Sequence, residues 1–160
     1  MKVRTVSIYF GTFLFTMVVS LGLTFVRSIY INRQAVFISA AFDGRVRVMR
    51  GLELFGVDVK APACKYKGCL LPLVAAAWGG EREAVRFLIE RGADVNDGGR
   101  LDKTPLMMAS YFGETEVVKL LLTHGADVNQ VNSDGETALD FAKQKGQSSV
   151  IRLLRQAGAH

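Results

Sequence analysis

The chain has 160 residues and carries 20 basic against 15 acidic side chains, which gives a net charge of +5. Beside an apolar N-terminal stretch, this length leaves room for one stacked core but not for two domains. The charge is uneven, because residues 1–67 hold ten basic and three acidic side chains, whereas residues 68–160 hold ten and twelve. The basic residues form no recognisable stripe along the chain and no nucleic-acid motif is present, so the sequence predicts no nucleic-acid binding.

The N-terminal stretch predicts a membrane helix. Residues 5–26 are 22 consecutive uncharged residues rich in Val, Leu, Phe and Ile, with basic residues before them and Arg27 and Arg33 after them. About 20 such residues span the hydrocarbon core of a bilayer. We therefore expect a basic tail at 1–4, a transmembrane signal-anchor helix at 5–26 and a linker at 27–34. The alternative is a cleaved signal peptide, whose apolar region is normally shorter.

The two cysteines indicate on which side of the membrane the following domain lies. Cys64 and Cys69 occupy one short loop, and a disulfide between them would persist only in an oxidising compartment. Two ordinary thiols in a cytosolic loop are the alternative. One cysteine pair without a nearby His does not supply the four ligands of a zinc site. With the short basic tail, the pair favours a single-pass membrane protein whose domain is on the non-cytoplasmic (periplasmic) side. With a cleaved signal peptide, the protein would instead be secreted or periplasmic.

A repeat of 33 residues organises the rest of the chain. Gly-Ala-Asp-Val-Asn occurs at 92–96 and again at 125–129. The same offset relates the triplets Leu71-Pro72-Leu73, Thr104-Pro105-Leu106 and Thr137-Ala138-Leu139. A weaker unit lies upstream, where residues 40–44 match residues 76–80 at an offset of 36. A fixed period of this length indicates one supersecondary unit stacked several times.

The unit that begins at Thr104 shows how each repeat is expected to fold. Thr104 is a favourable N-cap, and Pro105 suits the first helical position because its missing donor costs nothing there. Gly113 then permits a turn into a second helix at 114–123, which has aliphatic residues at helical spacing. Gly125 ends that helix, since glycine adopts the left-handed conformation without a side-chain clash. Each helix pair buries only one face, so neighbouring pairs must stack.

At these residues the chain resembles the ankyrin-repeat family, whose pattern combines the Thr-Pro-Leu start, an Ala-Ala and Gly centre and the Gly-Ala-Asp-Val-Asn end. The resemblance implies an all-α ankyrin-repeat solenoid of about three full repeats plus a divergent N-terminal capping repeat, preceded by one transmembrane helix. The implied domain, residues 35–160, divides into a cap repeat with an inserted loop (35–68), repeats at 69–101 and 102–134, and a C-terminal cap repeat (135–160). The family's His is replaced by Val74, Met107 and Asp140.

No set of residues in the sequence predicts catalysis. His124 and His160 are the only histidines, and His124 stands at the end of a helix, where an imidazole is favourable. Ser148-Ser149 and Lys145 do not form a nucleophile and base that spacing can support, and no phosphate-binding glycine loop is present. We expect a protein that is not an enzyme, with no cofactor, no metal and no small-molecule substrate.

The resemblance instead implies a binding groove. In ankyrin repeats the groove is lined by a variable residue pair after the Ala-Ala centre and by the tips of the projecting loops. Transferred to this chain, the groove positions are Phe42, Asp43, Trp78, Tyr111, Phe112 and Gln144, and the loop tips add Lys65, Tyr66, Arg100, Lys103 and Glu136. Three successive repeats thus offer an aromatic side chain, a residue type over-represented at the energetic centres of interfaces. The alternative is that some of these rings, Phe112 above all, pack between helices.

These features predict a membrane-tethered module that binds a partner protein through the groove and does no chemistry. The family resemblance suggests an immunity role against a toxin or an accessory role for an envelope enzyme. The alternative is a structural scaffold whose basic membrane-proximal half organises lipid or a membrane complex.

Overall fold

The computed structural model describes residues 33–65 and 68–160, with only the backbone described at residues 63–65, 68 and 101. The predicted tail, the predicted transmembrane helix at 5–26, residues 27–32 of the predicted linker and Tyr66 lie outside this part of the chain. Arg33 and Gln34, which the sequence assigned to the linker, are already helical. Across the described ranges, no helix combines the length and the apolar composition that crossing a bilayer requires.

Eight helices and one short ribbon make up the described residues. Residues 33–42 are helical and are named α1 over that range. The other helices are α2 (Val46–Leu54), α3 (Pro72–Trp78), α4 (Arg82–Glu90), α5 (Pro105–Phe112), α6 (Thr115–Thr123), α7 (Ala138–Gln144) and α8 (Ser148–Gln156). Strands β1 (Ala63–Lys65) and β2 (Gly68–Leu70) form an antiparallel ribbon, and a 3₁₀ turn covers Gly99–Leu101.

The helices lie in two rows, and α3 with α4, α5 with α6 and α7 with α8 pack as consecutive pairs across them. The inner row contains α3, α5 and α7, which pack on one another in sequence, and α1 joins it through a ring contact with α3. The outer row contains α2, α4, α6 and α8. Among the described residues the hydrophobic core lies between the rows and includes Phe37, Leu88 and Leu154. Residues Arg33–His160 form one compact unit around this core, which is what an independently folding domain needs. The helical repeat architecture expected from the 33-residue period is confirmed.

The starts and turns of the helices follow the predicted local chemistry. The Thr104 hydroxyl accepts a hydrogen bond from the Met107 backbone N–H, and Pro105 is the first residue of α5. Gly113 and Gly125 have φ of 82° and 85°, which lets the chain turn after α5 and after α6. In the last repeat, Thr137 has no proline after it.

A capping box replaces that proline. The side chain of Thr137 accepts from the Asp140 backbone N–H, and the Asp140 carboxylate accepts from the backbone N–H of Thr137. Asp140 stands where the family has its His, so a helix cap takes the place of that residue here. At the other two such positions, Val74 and Met107 are buried in the core.

Asn96 explains why the Gly-Ala-Asp-Val-Asn phrase recurs. The Asp94 carboxylate accepts from the Asn96 backbone N–H, which closes a local turn. The Asn96 side chain then accepts from the Asp127 backbone N–H of the following repeat at 2.8 Å and donates to the Gly125 carbonyl. The phrase therefore both ends a repeat and hydrogen-bonds it to the next one.

Two features of the first repeat were not predicted. Gln34 is 3% exposed, and its Nε2 donates to the carbonyls of Asp58 and Ala61, so it fixes the loop after α2. The inserted loop contains the ribbon, whose register pairs Cys64 with Cys69 directly across the two strands. The Cys64 side chain is not described, so the disulfide between the two cysteines stays a prediction.

Candidate functional site

An aromatic row runs along the carboxyl ends of the inner helices. It consists of Phe42, Trp78 and Phe112, which are 40%, 38% and 40% exposed. The Phe42 and Trp78 rings meet edge to face with centroids 5.5 Å apart, and Trp78 stacks on Phe112 at 5.7 Å with 20° between the planes. These contacts join three repeats into one continuous apolar surface that solvent still reaches.

Tyr111 lies beside the aromatic row and is partly buried against the core. Its ring meets Phe112 at 4.9 Å and Phe141 at 6.1 Å, and Lys145 Nζ lies 4.6 Å from its centroid. Tyr111 therefore supports Phe112 from below while Phe112 points outward. This is the reverse of the alternative in which Phe112 was the ring to pack between helices.

Close backbone packing sets the spacing of the row between the first two repeats. Gly79 has an ordinary φ of −73°, yet a Cβ at this position would lie 2.1 Å from the Phe42 carbonyl oxygen. Only glycine lets α1 and α3 approach this closely, and the approach brings the rings of Phe42 and Trp78 into contact.

A second row of side chains follows the turns next to the aromatic row. Glu81, Glu114 and Gln147 each lie over the turn glycine of the preceding repeat; these glycines are Gly44, Gly80 and Gly113. The Gln147 amide donates to the Tyr111 carbonyl at 3.2 Å. Neither Glu81 nor Glu114 forms an ion pair with a described residue. The sequence reading missed this row, although its members recur at the 33-residue offset.

The remaining predicted groove residues are more dispersed. Asp43 is exposed and forms an ion pair with Arg45 at 3.3 Å. Gln144 is exposed at the end of α7. Glu136 is half-buried and accepts a hydrogen bond from the Asn132 amide at 3.1 Å, so its carboxylate is already engaged within its own loop.

The predicted loop tips are only partly described. Arg100 and Lys103 are exposed in the loop between α4 and α5, and Lys103 Nζ lies 5.6 Å from the Phe141 ring. The side chain of Lys65 and the whole of Tyr66 lie outside the described part, so their place at the groove stays a prediction.

Basic side chains occupy one equivalent position on all four outer helices, namely Arg50, Arg86, Lys119 and Arg152. The sequence was predicted to contain no basic stripe, so this recurrence was missed. The offsets of 36 and 33 residues that relate the repeats also relate these four positions. On α6, Glu116 offsets this basic position by pairing with Lys119 at 2.6 Å. On α4, Glu83 and Glu90 balance the charges of Arg82 and Arg86. Outer-face basic charge is thus concentrated on α2 and α8.

Neighbouring side chains lower the pKa of two carboxylates, Glu116 and Asp140. A hydrogen bond and the charge of Lys119 lower the pKa of Glu116. Hydrogen bonds from the side chain and backbone of Thr137, with a smaller effect of Lys143, lower the pKa of Asp140. Both carboxylates belong to helix starts away from the aromatic row. Among the residues whose side chains are described, no three His, Cys, Asp or Glu side chains are grouped to hold a metal ion.

Comparison with known families agrees with this geometry. A family model described as ankyrin repeats (3 copies) matches residues 73–160, which is more than half of the chain. A search of curated proteins finds no match to the chain.

Proposed function

Because this chain belongs to the ankyrin-repeat family, whose repeats form protein–protein interaction modules, we propose that it binds a partner protein through the groove face and does no chemistry itself. The groove face is the side of the stack that carries the aromatic row, with Tyr111 and Gln144 beside it. The observation that carries the proposal is the continuous contact of Phe42, Trp78 and Phe112 across three repeats.

The aromatic row has the properties of an interface centre. Its rings are large, and mutual packing already holds them in place, so few rotors remain to be frozen on binding. Aromatic side chains of this kind contribute a disproportionate share of binding energy in protein interfaces. Leaving three such rings about two-fifths exposed is unfavourable for the free protein, and a partner that covers them removes that cost.

The charged side chains around the aromatic row set the orientation in which a partner docks. Glu81 and Glu114 place carboxylates beside the first three repeats, whereas Lys145 lies over Tyr111 near the fourth. A partner that docks along the row is expected to present basic groups toward the first repeats and acidic groups toward the last. Complementary charges of this kind set register and association rate more than affinity.

Site-specific photocrosslinking tests the groove. A benzophenone amino acid at Phe112 is expected to crosslink the partner, whereas the same group at Gln156, which is exposed on the outer helix α8, is the matched control. The double variant Trp78→Ala plus Phe112→Ala should lower affinity for the captured partner at least a hundredfold, in line with two interface hot spots. Equal crosslinking from both positions, or unchanged affinity of a folded double variant, would contradict binding through the groove face.

We further propose that the predicted helix at 5–26 holds this module at a membrane, with the repeats on the non-cytoplasmic side, where it serves as an immunity or accessory protein. A topology reporter fused after His160 tests the side. Labelling of Cys64 and Cys69 with and without reductant tests the disulfide that such a compartment permits. A cytoplasmic reporter with reactive thiols would overturn the placement, and a shortened N-terminus in the mature protein would show the cleaved signal peptide instead.

A further inference from the structure

The carboxyl end of α2 carries the two most exposed large apolar side chains of the described residues. Leu54 is 87% exposed and Phe55 is 72% exposed. Val48, seven residues before Phe55 and therefore on the same side of the helix, is 41% exposed. The outer surface of α2 is thus apolar at its tip and along one edge.

This apolar tip is particular to the first repeat. At the position of Leu54, the other three outer helices carry Glu90, Thr123 and Gln156. At the position of Phe55, the other repeats carry Arg91, His124 and Ala157. A terminal repeat ordinarily needs a polar outer face for solubility. Of the four described repeats, the first is instead the one that exposes Leu and Phe at these positions, which is unfavourable in water.

Positive charge accompanies the apolar tip. Arg47 and Arg50, seven and four residues before Leu54, share its side of the helix and are exposed. Neither pairs with a carboxylate among the described residues. The carboxylate of α2 itself does not offset them, because Glu53 is bound by Arg91 at 2.7 Å.

We infer that the outer face of α2 docks on an anionic lipid surface. Leucine and phenylalanine side chains at the end of an amphipathic helix enter the boundary between headgroups and acyl chains, and the flanking guanidinium groups bind lipid phosphates. Leu54 and Phe55 stand largely free of the rest of the domain, at 87% and 72% exposure, which suits insertion into a bilayer better than capture of a peptide in a groove. Because α2 belongs to the outer row, the groove face stays free for a protein partner, and the inference does not depend on the proposed function.

Vesicle flotation with the Arg33–His160 fragment tests this inference without the apolar N-terminal stretch. Vesicles of phosphatidylglycerol and phosphatidylcholine are compared with pure phosphatidylcholine at low and high salt. We expect the fragment to float only with the anionic vesicles and to be released by salt. Leu54→Ser plus Phe55→Ser should lower the partition coefficient at least tenfold. Arg47→Gln plus Arg50→Gln should lower it about thirtyfold, since each basic residue near such a surface contributes a factor of about five.

The matched control is Arg152→Gln plus Arg155→Gln on α8, which removes the same charge from a helix without the apolar tip. Circular dichroism verifies that every variant is folded. Binding that the α8 control lowers as much as the α2 variant, or that the Leu54 and Phe55 changes leave intact, overturns the inference in favour of general charge attraction. Absence of flotation overturns the inference. A concentration-dependent dimer that is abolished by Leu54→Ser plus Phe55→Ser overturns it in favour of a contact between two protein molecules.

Discussion

The indole of Trp78 stacks on the ring of Phe112, 5.7 Å away, rather than on Tyr111, which is its counterpart at the 33-residue offset. Tyr111 turns instead toward Phe141 and the core. The exposed ring of the third repeat therefore lies one sequence position later than the position equivalent to Trp78. The stacked pair, more than any single ring, defines the surface that a partner would meet.

Trp78 is the chain's one tryptophan and therefore a built-in reporter of the groove face. Phe112→Ala removes the stacked neighbour, so we expect a red-shifted emission, easier quenching by acrylamide and a loss of about 0.5–1.5 kcal/mol of stability. Phe55→Ala, which changes an exposed ring on the outer row, is the control and should leave the Trp78 emission unchanged. Fluorescence during urea unfolding gives both readouts. An unaltered spectrum in Phe112→Ala would contradict the stacking.

Gly79 and Gly51 are expected to respond oppositely to the same added methyl group. At Gly79 the methyl group would collide with the Phe42 carbonyl oxygen, so Gly79→Ala should cost about 1–3 kcal/mol. Gly51 is inside α2 with no neighbouring atom within 4 Å of the added carbon, so Gly51→Ala should gain about 0.5–1 kcal/mol from helix propensity. Urea midpoints of the two variants decide the matter, and effects of equal sign would refute the close approach of α1 and α3.

Ser110 is a buried polar group whose removal should stabilise the protein. Its side chain is fully buried in α5, and its hydroxyl has no hydrogen-bond partner among the described residues. Ala77 fills the equivalent position of the preceding repeat. Ser110→Ala should therefore raise the free energy of unfolding by about 1 kcal/mol, seen as a higher urea midpoint with unchanged slope. Ser133→Ala, exposed in a loop, is the control, and destabilisation by Ser110→Ala would show that the hydroxyl has a bonding role.

The helix pairs could be predicted because each rule that forms them is local. Thr104, Pro105, Gly113 and Gly125 act through their own backbone geometry, and the 33-residue offset repeats that geometry. Which rings meet across repeats could not be predicted, since contact there depends on side-chain directions in two separate helices. Trp78 meets Phe112 for that reason, against the sequence alignment.

Other features could not be predicted because they lie at positions that do not recur between repeats. Gln34 lies before the first recognisable anchor, and only its bonds to the carbonyls of Asp58 and Ala61 show that it belongs to the domain. Leu54 and Phe55 match no recurring position of the repeat. From the sequence alone, an apolar residue at a helix end is expected to belong to the core, so only the structure shows that these two are exposed.

Asp140 gives the capping box a defined pH dependence. Its pKa is lower in the folded protein than the usual value near 3.8, because Thr137 donates to its carboxylate. The stabilisation is therefore fully present above that usual value and is lost as the pH falls through it toward the lower folded value.

Asp140→Asn should reduce stability at pH 7 by less than about 1 kcal/mol, since the carboxylate is partly exposed. The difference from the unmodified protein should shrink toward zero at pH 3. Urea unfolding at pH 7, 5 and 3 measures it, with Asp134→Asn in the preceding loop as a control that removes the same charge. A deficit in Asp140→Asn that stays constant over this range would show that shape, rather than charge, makes the cap.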